Sequence, residues 1–244
     1  MKTIKRVGII TQARMTSTRL PGKILKRVKD ISILKYHIDR LKWSELAVYV
    51  ATTINDTDNP VIEFCLHENL PTFRGSENNV LSRYYECAKQ NHLEIVIRVT
   101  SDCPLIDGHL IKKAYTYYLD HFQHNLYYSN CHQRTFPRGF DFEIFSFQLL
   151  EEAYQKAVMP SDLEHVTPYI HQNRNGNVSI EHFTIESNAS QYRITLDTPE
   201  DFELIKILIE KYGADKLNYD AIISLLEQHP ELIAINTNVH QKTI

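Results

Sequence analysis

Three cations, Arg14, Arg19 and Lys23, fall within the single stretch Thr11–Lys23, TQARMTSTRLPGK, which contains no acid. Small hydroxyl residues around them let backbone N–H groups come close to a ligand. Arginine offers a planar fork to phosphate oxygens, and lysine a mobile point charge. Pro21-Gly22 fixes a turn that brings Lys23 back toward the same point. A polyphosphate is the anion that suits such a loop; the alternative is a solvated basic loop. The stretch is neither a P-loop nor a dinucleotide fingerprint, because G-x-x-x-x-G-K-[ST] and G-x-G-x-x-G are both absent.

Carboxylates recur where β-branched runs stop. Asp102 comes just after EIVIRVT, and Asp197 directly follows YRITL. Beside a phosphate loop, Asp102 would suit Mg²⁺, which takes one or two carboxylates together with phosphate oxygens. Read structurally, Asp102 belongs to a turn or caps a helix beginning near Asp107. Asp197 or Thr198 caps the helix opened by Thr198-Pro199-Glu200-Asp201, with metal binding by Asp197 as an additional role. FPRGFDFEIF contributes Arg138, Asp141 and Glu143. The two acids are two apart on an expected strand and share a face, so they need solvent, a cation or a hydroxylated ligand. LEHVTPYI places Glu164, His165 and Thr167 on an expected helix, where a lone histidine is either structural or catalytic.

The elements that must carry these residues are legible as alternating patterns. Arg6–Thr11, Ala47–Thr52, Pro71–Gly75 and Glu94–Thr100 read as strands. Ile33–Trp43, Asn59–Asn69 and Asn78–Asn91 place apolar residues at helical spacing. Strand–helix alternation gives right-handed βαβ units and an α/β fold with a mostly parallel central sheet flanked by helices. Ligands then bind at the carboxyl ends of the strands. The second half reads as α+β: strands in Phe140–Ser146, VSIEHFTIE and YRITL, and helices over Phe147–Val158, Ser161–His171, Pro199–Tyr212 and Asn218–Gln228. The stretch after Pro230 receives no assignment.

Composition narrows the class. With 244 residues and 43% hydrophobic content the chain can bury a core. Its net charge of −3 points to no global nucleic-acid or membrane surface. The first thirty residues, in contrast, hold nine Lys or Arg and one acid, so the basic charge is local, as at a site. Four cysteines lack C-x-x-C spacing and read as reduced thiols of a cytoplasmic protein. The N-terminal apolar run is too short for a signal-peptide core. No apolar run approaches the ~20 residues that cross a bilayer.

In chain order, QARMTSTRLPGKIL, FRGSENNVLSRYYECA, RVTSDCPLID, FPRGFDFEIFS, EHVTPYI and RITLDTPEDFELI resemble the spore-coat-polysaccharide F-type cytidylyltransferases, relatives of the CMP-Kdo and CMP-sialic acid synthetases. The match runs from about Val7 to about Tyr212. It implies a nucleotide-diphospho-sugar transferase fold, Rossmann-like and GT-A-like. It implies one domain over 1–244, with a nucleotide lobe over about 1–125 and an acceptor lobe with C-terminal helices over about 126–244. The implied reaction is CTP + acceptor → CMP-acceptor + pyrophosphate with Mg²⁺, in surface-polysaccharide biosynthesis. By resemblance, Arg14 and Lys23 hold the phosphates beside Ala13 and Arg19, and Asp102 and Asp197 bind the metal; Arg14, Lys23, Asp102 and Asp197 form the catalytic set. Ser76, Asn79 and Arg83 lie near cytosine and ribose. Arg138, Asp141, Glu143 and His165 face the acceptor. The implied partners are CTP and a small sugar or phosphorylated acceptor, with no nucleic acid or membrane and with room for a homodimer.

Several positions depart from the family pattern. Thr16 and Ser101 stand where glycine is usual, VKDISIL replaces a Gly-rich turn, and Asn78 and Asn79 replace acids. Two other readings are a glycosyltransferase using a ready-made nucleotide sugar and a non-catalytic nucleotide-binding protein. The three loop cations suit a triphosphate better than a sugar diphosphate, and the full set of cations and carboxylates argues against a non-catalytic protein.

Overall fold

The computed structural model describes residues 5–241. Its strands are β1 (Val7–Gln12), β2 (Arg27–Val28), β3 (Ile31–Ser32), β4 (Val48–Thr53), β5 (Thr72–Gly75), β6 (Ile95–Thr100), β7 (Leu126–Ser129), β8 (Glu143–Ser146) and β9 (Ser179–His182). Its helices are α1 (Ile33–Lys42), α2 (Asn59–His67), α3 (Val80–Gln90), α4 (Gly108–Asp120), α5 (Phe147–Lys156), α6 (Pro160–His165), α7 (Pro168–His171), α8 (Pro199–Tyr212), α9 (Tyr219–Gln228) and α10 (Pro230–Ala234). Seven strands form one sheet in the order β5-β4-β1-β6-β8-β7-β9, and β2 and β3 form a separate hairpin. The neighbours from β5 to β6 run parallel, β8 is antiparallel to β6 and β7, and β9 is parallel to β7. This is the expected mixed, mostly parallel α/β sheet.

Alternation along the strands builds two cores. Ile9, Val50 and Ile97 point into one, with α1, α4, α8 and α9, while Ile10, Ala51 and Val96 point into the other, with α3 and α5. Both faces of the central strands are therefore apolar, which explains why they read as continuous β-branched runs.

Three expectations fail for identifiable reasons. YRITL is not a strand: it makes one isolated bridge, Arg138 to Arg193. That bridge is Arg138 N–H to the Tyr192 carbonyl at 3.2 Å and Ile194 N–H to the Arg138 carbonyl at 2.8 Å; beyond it, Leu196 N–H donates to the Asp102 carbonyl at 2.8 Å, in a turn. The strand expected over Phe140–Ser146 starts only at Glu143, because the Asn130 side chain takes the place of a partner strand. It donates to the Phe140 carbonyl at 2.8 Å and accepts from Phe142 N–H at 2.9 Å. The helix expected over Ser161–His171 breaks at Val166, whose φ is 72°, ahead of Pro168, which has no N–H to continue the ladder and instead opens α7 at its first position. In the β2–β3 hairpin, Lys29 and Asp30 take φ of 48° and 61°, so two ordinary residues supply the turn that glycine usually makes.

Candidate active site

The carboxyl ends of β1 and β6 open onto a cleft of about 680 Å³. The loop leaving β1 lines it, and contacts from elsewhere in the chain shape that loop. Met15 N–H donates to Asp58 Oδ1 at 2.6 Å, and the Thr16 hydroxyl to Glu77 Oε1 at 2.6 Å. Gly22, at φ 66°, returns the chain: its N–H meets the Met15 carbonyl at 3.0 Å. The turn expected at Pro21-Gly22 therefore delivers Lys23 to the cleft. Buried His37 ties β1 to the turn that carries Asp102, joining the Thr11 hydroxyl at 2.9 Å to the Cys103 carbonyl at 2.9 Å. Burial pushes its pKa down to about 4, so it is a neutral structural strut.

The loop's own lack of acid is made good by the fold. Arg14 lies 3.5 Å from Glu77, and Arg19 lies 3.0 Å from Asp197. Lys23 Nζ donates to Asp102 Oδ2 at 3.0 Å, to Asp197 Oδ1 at 2.8 Å and to the Leu196 carbonyl at 2.8 Å. Asp102 and Asp197, 95 positions apart, thus converge on one ammonium. Burial alone would lower the Lys23 pKa, but the two carboxylates outweigh it and raise it. Burial alone would raise Asp102, but the Lys23 charge and the Thr100 hydroxyl, which donates at 2.6 Å, hold it well below the ordinary carboxylate range. Asp197 Oδ2 also receives Arg193 at 3.1 Å. Thr198 caps α8 as expected, in a capping box with Asp201.

Six cations line the cleft, Arg14, Arg19, Lys23, Arg83, Arg98 and Arg138, against four carboxylates, Asp102, Asp141, Glu164 and Asp197. The excess is positive on a chain whose net charge is −3. Arg83 is 1% exposed, and its Nε and Nη1 are buried without a hydrogen-bond partner among the described residues; the same holds for Gln12 Oε1. Gly75 admits the Arg83 side chain, since a β-carbon there would stand 2.8 Å from Arg83 Cγ.

The cytidylyltransferase family model matches residues 8–229. This chain belongs to that family. It is 31% identical to the spore coat polysaccharide biosynthesis protein SpsF of Bacillus subtilis, over 91% of this chain and 94% of that protein. It is 35% identical to a cytidylyltransferase of known structure from Leptospira borgpetersenii, with 99% of each chain covered and a TM-score of 0.90. The structure of a CMP:2-keto-3-deoxy-manno-octonic acid synthetase complexed with CTP shares the fold, with a TM-score of 0.63 at 17% identity over 85% of this chain and 99% of that one.

The remaining predicted positions of the cytidylyltransferase divide sharply. Ala13, Arg14, Arg19, Lys23, Arg83, Asp102, Arg138, Asp141, His165 and Asp197 all line the one cleft. Glu143, Ser76 and Asn79 do not. Glu143 is 3% exposed and pairs with Arg98 behind the cleft wall, so the shared face expected for Asp141 and Glu143 does not form. Asp141 instead pairs with Arg134 at 2.5 Å. Ser76 and Asn79 build the start of α3: Asn79 Oδ1 accepts from Ser82 N–H at 2.8 Å, and Ser76 Oγ from Asn79 N–H at 3.2 Å. Arg98 also lines the cleft, and its signal in the sequence is a cation within an otherwise apolar strand.

Two backbone features set Arg138 and His165. Gly139, at φ 108°, lets the turn after Arg138 lie against Ile194, where a β-carbon would stand 2.5 Å from the carbonyl oxygen. His165, Val166 and Thr167 form a γ-turn, with Thr167 N–H donating to the His165 carbonyl at 2.8 Å. A β-branched residue at φ 72° is strained by roughly 1–3 kcal/mol. The turn points His165 to the cleft while the Thr167 hydroxyl donates to Glu143 at 2.6 Å.

Asp56-Thr57-Asp58 is a D-x-D string after β4, so the lack of such a string is no ground against the glycosyltransferase reading. Asp58 is fully buried and both of its oxygens are occupied, by Met15 N–H and the Thr53 hydroxyl, so the string shapes the loop. Among the described residues no group of three His, Cys, Asp or Glu is placed to hold a metal ion. The Asp102–Asp197 pair fits an ion such as Mg²⁺, which takes few protein carboxylates and completes its shell with phosphate oxygens and water.

Proposed function

We propose that this cytidylyltransferase transfers CMP from CTP to an oxygen of a small acceptor, a sugar acid or a phosphorylated sugar, and releases pyrophosphate, in the building of a surface glycan. The observation that carries the reading is the convergence of three loop cations and two carboxylates, Asp102 just after β6 and Asp197 just before α8, on one cleft that keeps an excess of positive charge. The CTP complex of the structurally similar synthetase and the likeness to SpsF support it.

The acceptor oxygen attacks the α-phosphorus in line; its bond to phosphorus forms as the bond to the β-phosphate oxygen breaks. Arg14, Arg19 and Lys23 line the cleft and offset the charge that gathers on the departing pyrophosphate, exchanging a carboxylate partner for phosphate oxygens as the nucleotide binds. Gln12 Oε1 and Arg83 Nε and Nη1 offer one acceptor and two donors. Cytosine presents the complement: an amino donor and two acceptors, N3 and O2. Arg138, Asp141 and Arg98 face the acceptor. Burial depresses the pKa of half-buried His165, so it is neutral near pH 7 and can take the proton of an acceptor hydroxyl. Mg²⁺ would be held by Asp102 and Asp197 and would supply charge neutralisation at the phosphate oxygens.

The test is pyrophosphate release from CTP, ATP, GTP and UTP against a panel of sugar acids and sugar phosphates, with calorimetric binding of each nucleotide in parallel. CTP-selective binding and release with at least one acceptor class is expected. Equal binding of all four nucleotides with no release reduces the cleft to a phosphate site and overturns the proposal.

A further inference from the structure

The segment that follows α10 returns to the cleft. Gln241 lines it and accepts from Arg193 Nη1 at 2.7 Å. Five positions earlier, Asn236 is only 4% exposed, and its amide donates twice, to the Arg193 carbonyl at 3.1 Å and to Asp201 Oδ1 at 2.9 Å. Asp201 is fully buried. It receives Arg193 Nε and Nη2, each at 2.9 Å, together with the N–H groups of Asp197 at 2.9 Å and Thr198 at 3.1 Å. The same Nη2 also reaches Asp197 Oδ2 at 3.1 Å. Asp197 in turn holds Lys23.

Arg193 is therefore held along its Nε–Nη2 edge by Asp201, at Nη1 by Gln241 of the C-terminal segment and, through Nη2 again, by Asp197. A guanidinium has five donors in a rigid fork, so each partner removes freedom from the rest. A buried carboxylate such as Asp201 holds its geometry only while its donors are all in place. Without the grip, Arg193 would be a mobile cation a few ångströms from the triphosphate loop, able to swing away from Asp197. We propose that the segment from Asn236 to Gln241 is a positioning part of the reactive centre: it pins Arg193 against Asp201 and so fixes Asp197 beside Lys23. Its kinetic consequence rests on the CTP reading above; its structural consequence does not.

The experiment compares wild type with Asn236→Ala and with Gln241→Ala, a variant at an exposed position that leaves the core intact. Each is followed by melting temperature, by amide hydrogen exchange at Asp197 and Thr198, by CTP affinity and by steady-state kinetics well below the melting temperature. In Asn236→Ala both amides are expected to exchange at least 10-fold faster, and kcat is expected to fall about 10-fold with a smaller change in KM, as for an interaction that matters most in the transition state. Gln241→Ala is expected to lower kcat about 3-fold at an unchanged melting temperature. Unaltered exchange at Asp197 and Thr198, or a lower melting temperature with wild-type kcat and CTP affinity, overturns the proposal. Wild type that neither binds CTP nor releases pyrophosphate overturns the functional reading instead, and the exchange data then decide the positioning role alone.

Discussion

Arg98 on β6 and Glu143 on β8 stand opposite each other in register across the antiparallel step of the sheet, and their side chains pair there. Glu143 also accepts from the Tyr127 hydroxyl at 2.5 Å and the Thr167 hydroxyl at 2.6 Å. Burial pushes the Glu143 pKa up, but Arg98 and the two hydroxyls outweigh it and bring it below the ordinary value, so the group is ionised. The arrangement turns Arg98 toward the cleft and keeps Glu143 out of it. It also joins the γ-turn at Val166 to the central strand.

Glu143→Ala is expected to destabilise the protein by about 3–5 kcal/mol, because it leaves the Arg98 guanidinium buried without its counter-charge. Urea unfolding checks this. A loss below about 1 kcal/mol, the size of an exposed ion pair, would show that the pair is not buried in solution.

Lys23→Ala should act on chemistry more than on folding. A charge-assisted contact is worth roughly 1.5–3 kcal/mol, so kcat/KM is expected to fall about 10- to 150-fold. The substitution also leaves Asp102 and Asp197 facing each other without the shared ammonium, so the nucleotide-free variant should bind a divalent ion more tightly than wild type. Titration with Mn²⁺ followed by electron paramagnetic resonance reads this directly. Weaker Mn²⁺ binding than wild type would mean that the two carboxylates do not form one cation site.

The chain displayed its fold and half of its site through different signals. Fully buried strands such as β6 are legible because both faces demand apolar residues, whereas YRITL has strand composition yet packs against two loops, and no local pattern distinguishes those partners. The loop cations stood out because nothing nearby in sequence balanced them; Glu77, Asp197 and Asp102 balance them across the fold. Glu143 looked like a site acid because its counter-charge lies 45 positions away on a neighbouring strand. Ser76 and Asn79 were drawn into the site by a motif whose first half turns out to be the cap of α3. The segment after α10 has no periodicity of its own, and its role rests on one buried amide.

Stability should depend on Asp102 at acid pH. Its folded pKa lies below the unfolded value, so it binds protons less readily when folded; its contribution is complete above the ordinary carboxylate range and is lost as pH falls through the depressed folded value. Thermal melts from pH 7 down to pH 2 should therefore show a steeper acid decline for wild type than for Asp102→Asn. Parallel declines would show that Lys23 does not hold this carboxylate in the folded protein.

Arg83 provides a case in which stability and binding should move in opposite directions. Its side chain is 1% exposed and two of its nitrogens have no partner among the described residues, a cost of roughly 1–3 kcal/mol for each unmet donor. Burial lowers its pKa, yet a guanidinium stays charged at neutral pH, so the protein buries a cation whose partners do not come from the described residues. A group that weakens the fold and lines the cleft is what a site looks like when its counterpart comes from a ligand. Arg83→Met keeps most of the volume and removes the unmet donors. It is expected to unfold at the same urea concentration as wild type or a higher one, while binding CTP about 10- to 150-fold more weakly, the span of 1.5–3 kcal/mol at about 1.4 kcal/mol per decade. The preference for CTP over UTP should shrink as well, because N3 accepts a hydrogen bond in cytosine and donates one in uracil. If Arg83→Met loses stability and keeps wild-type affinity for CTP, Arg83 serves the fold and the base is read elsewhere.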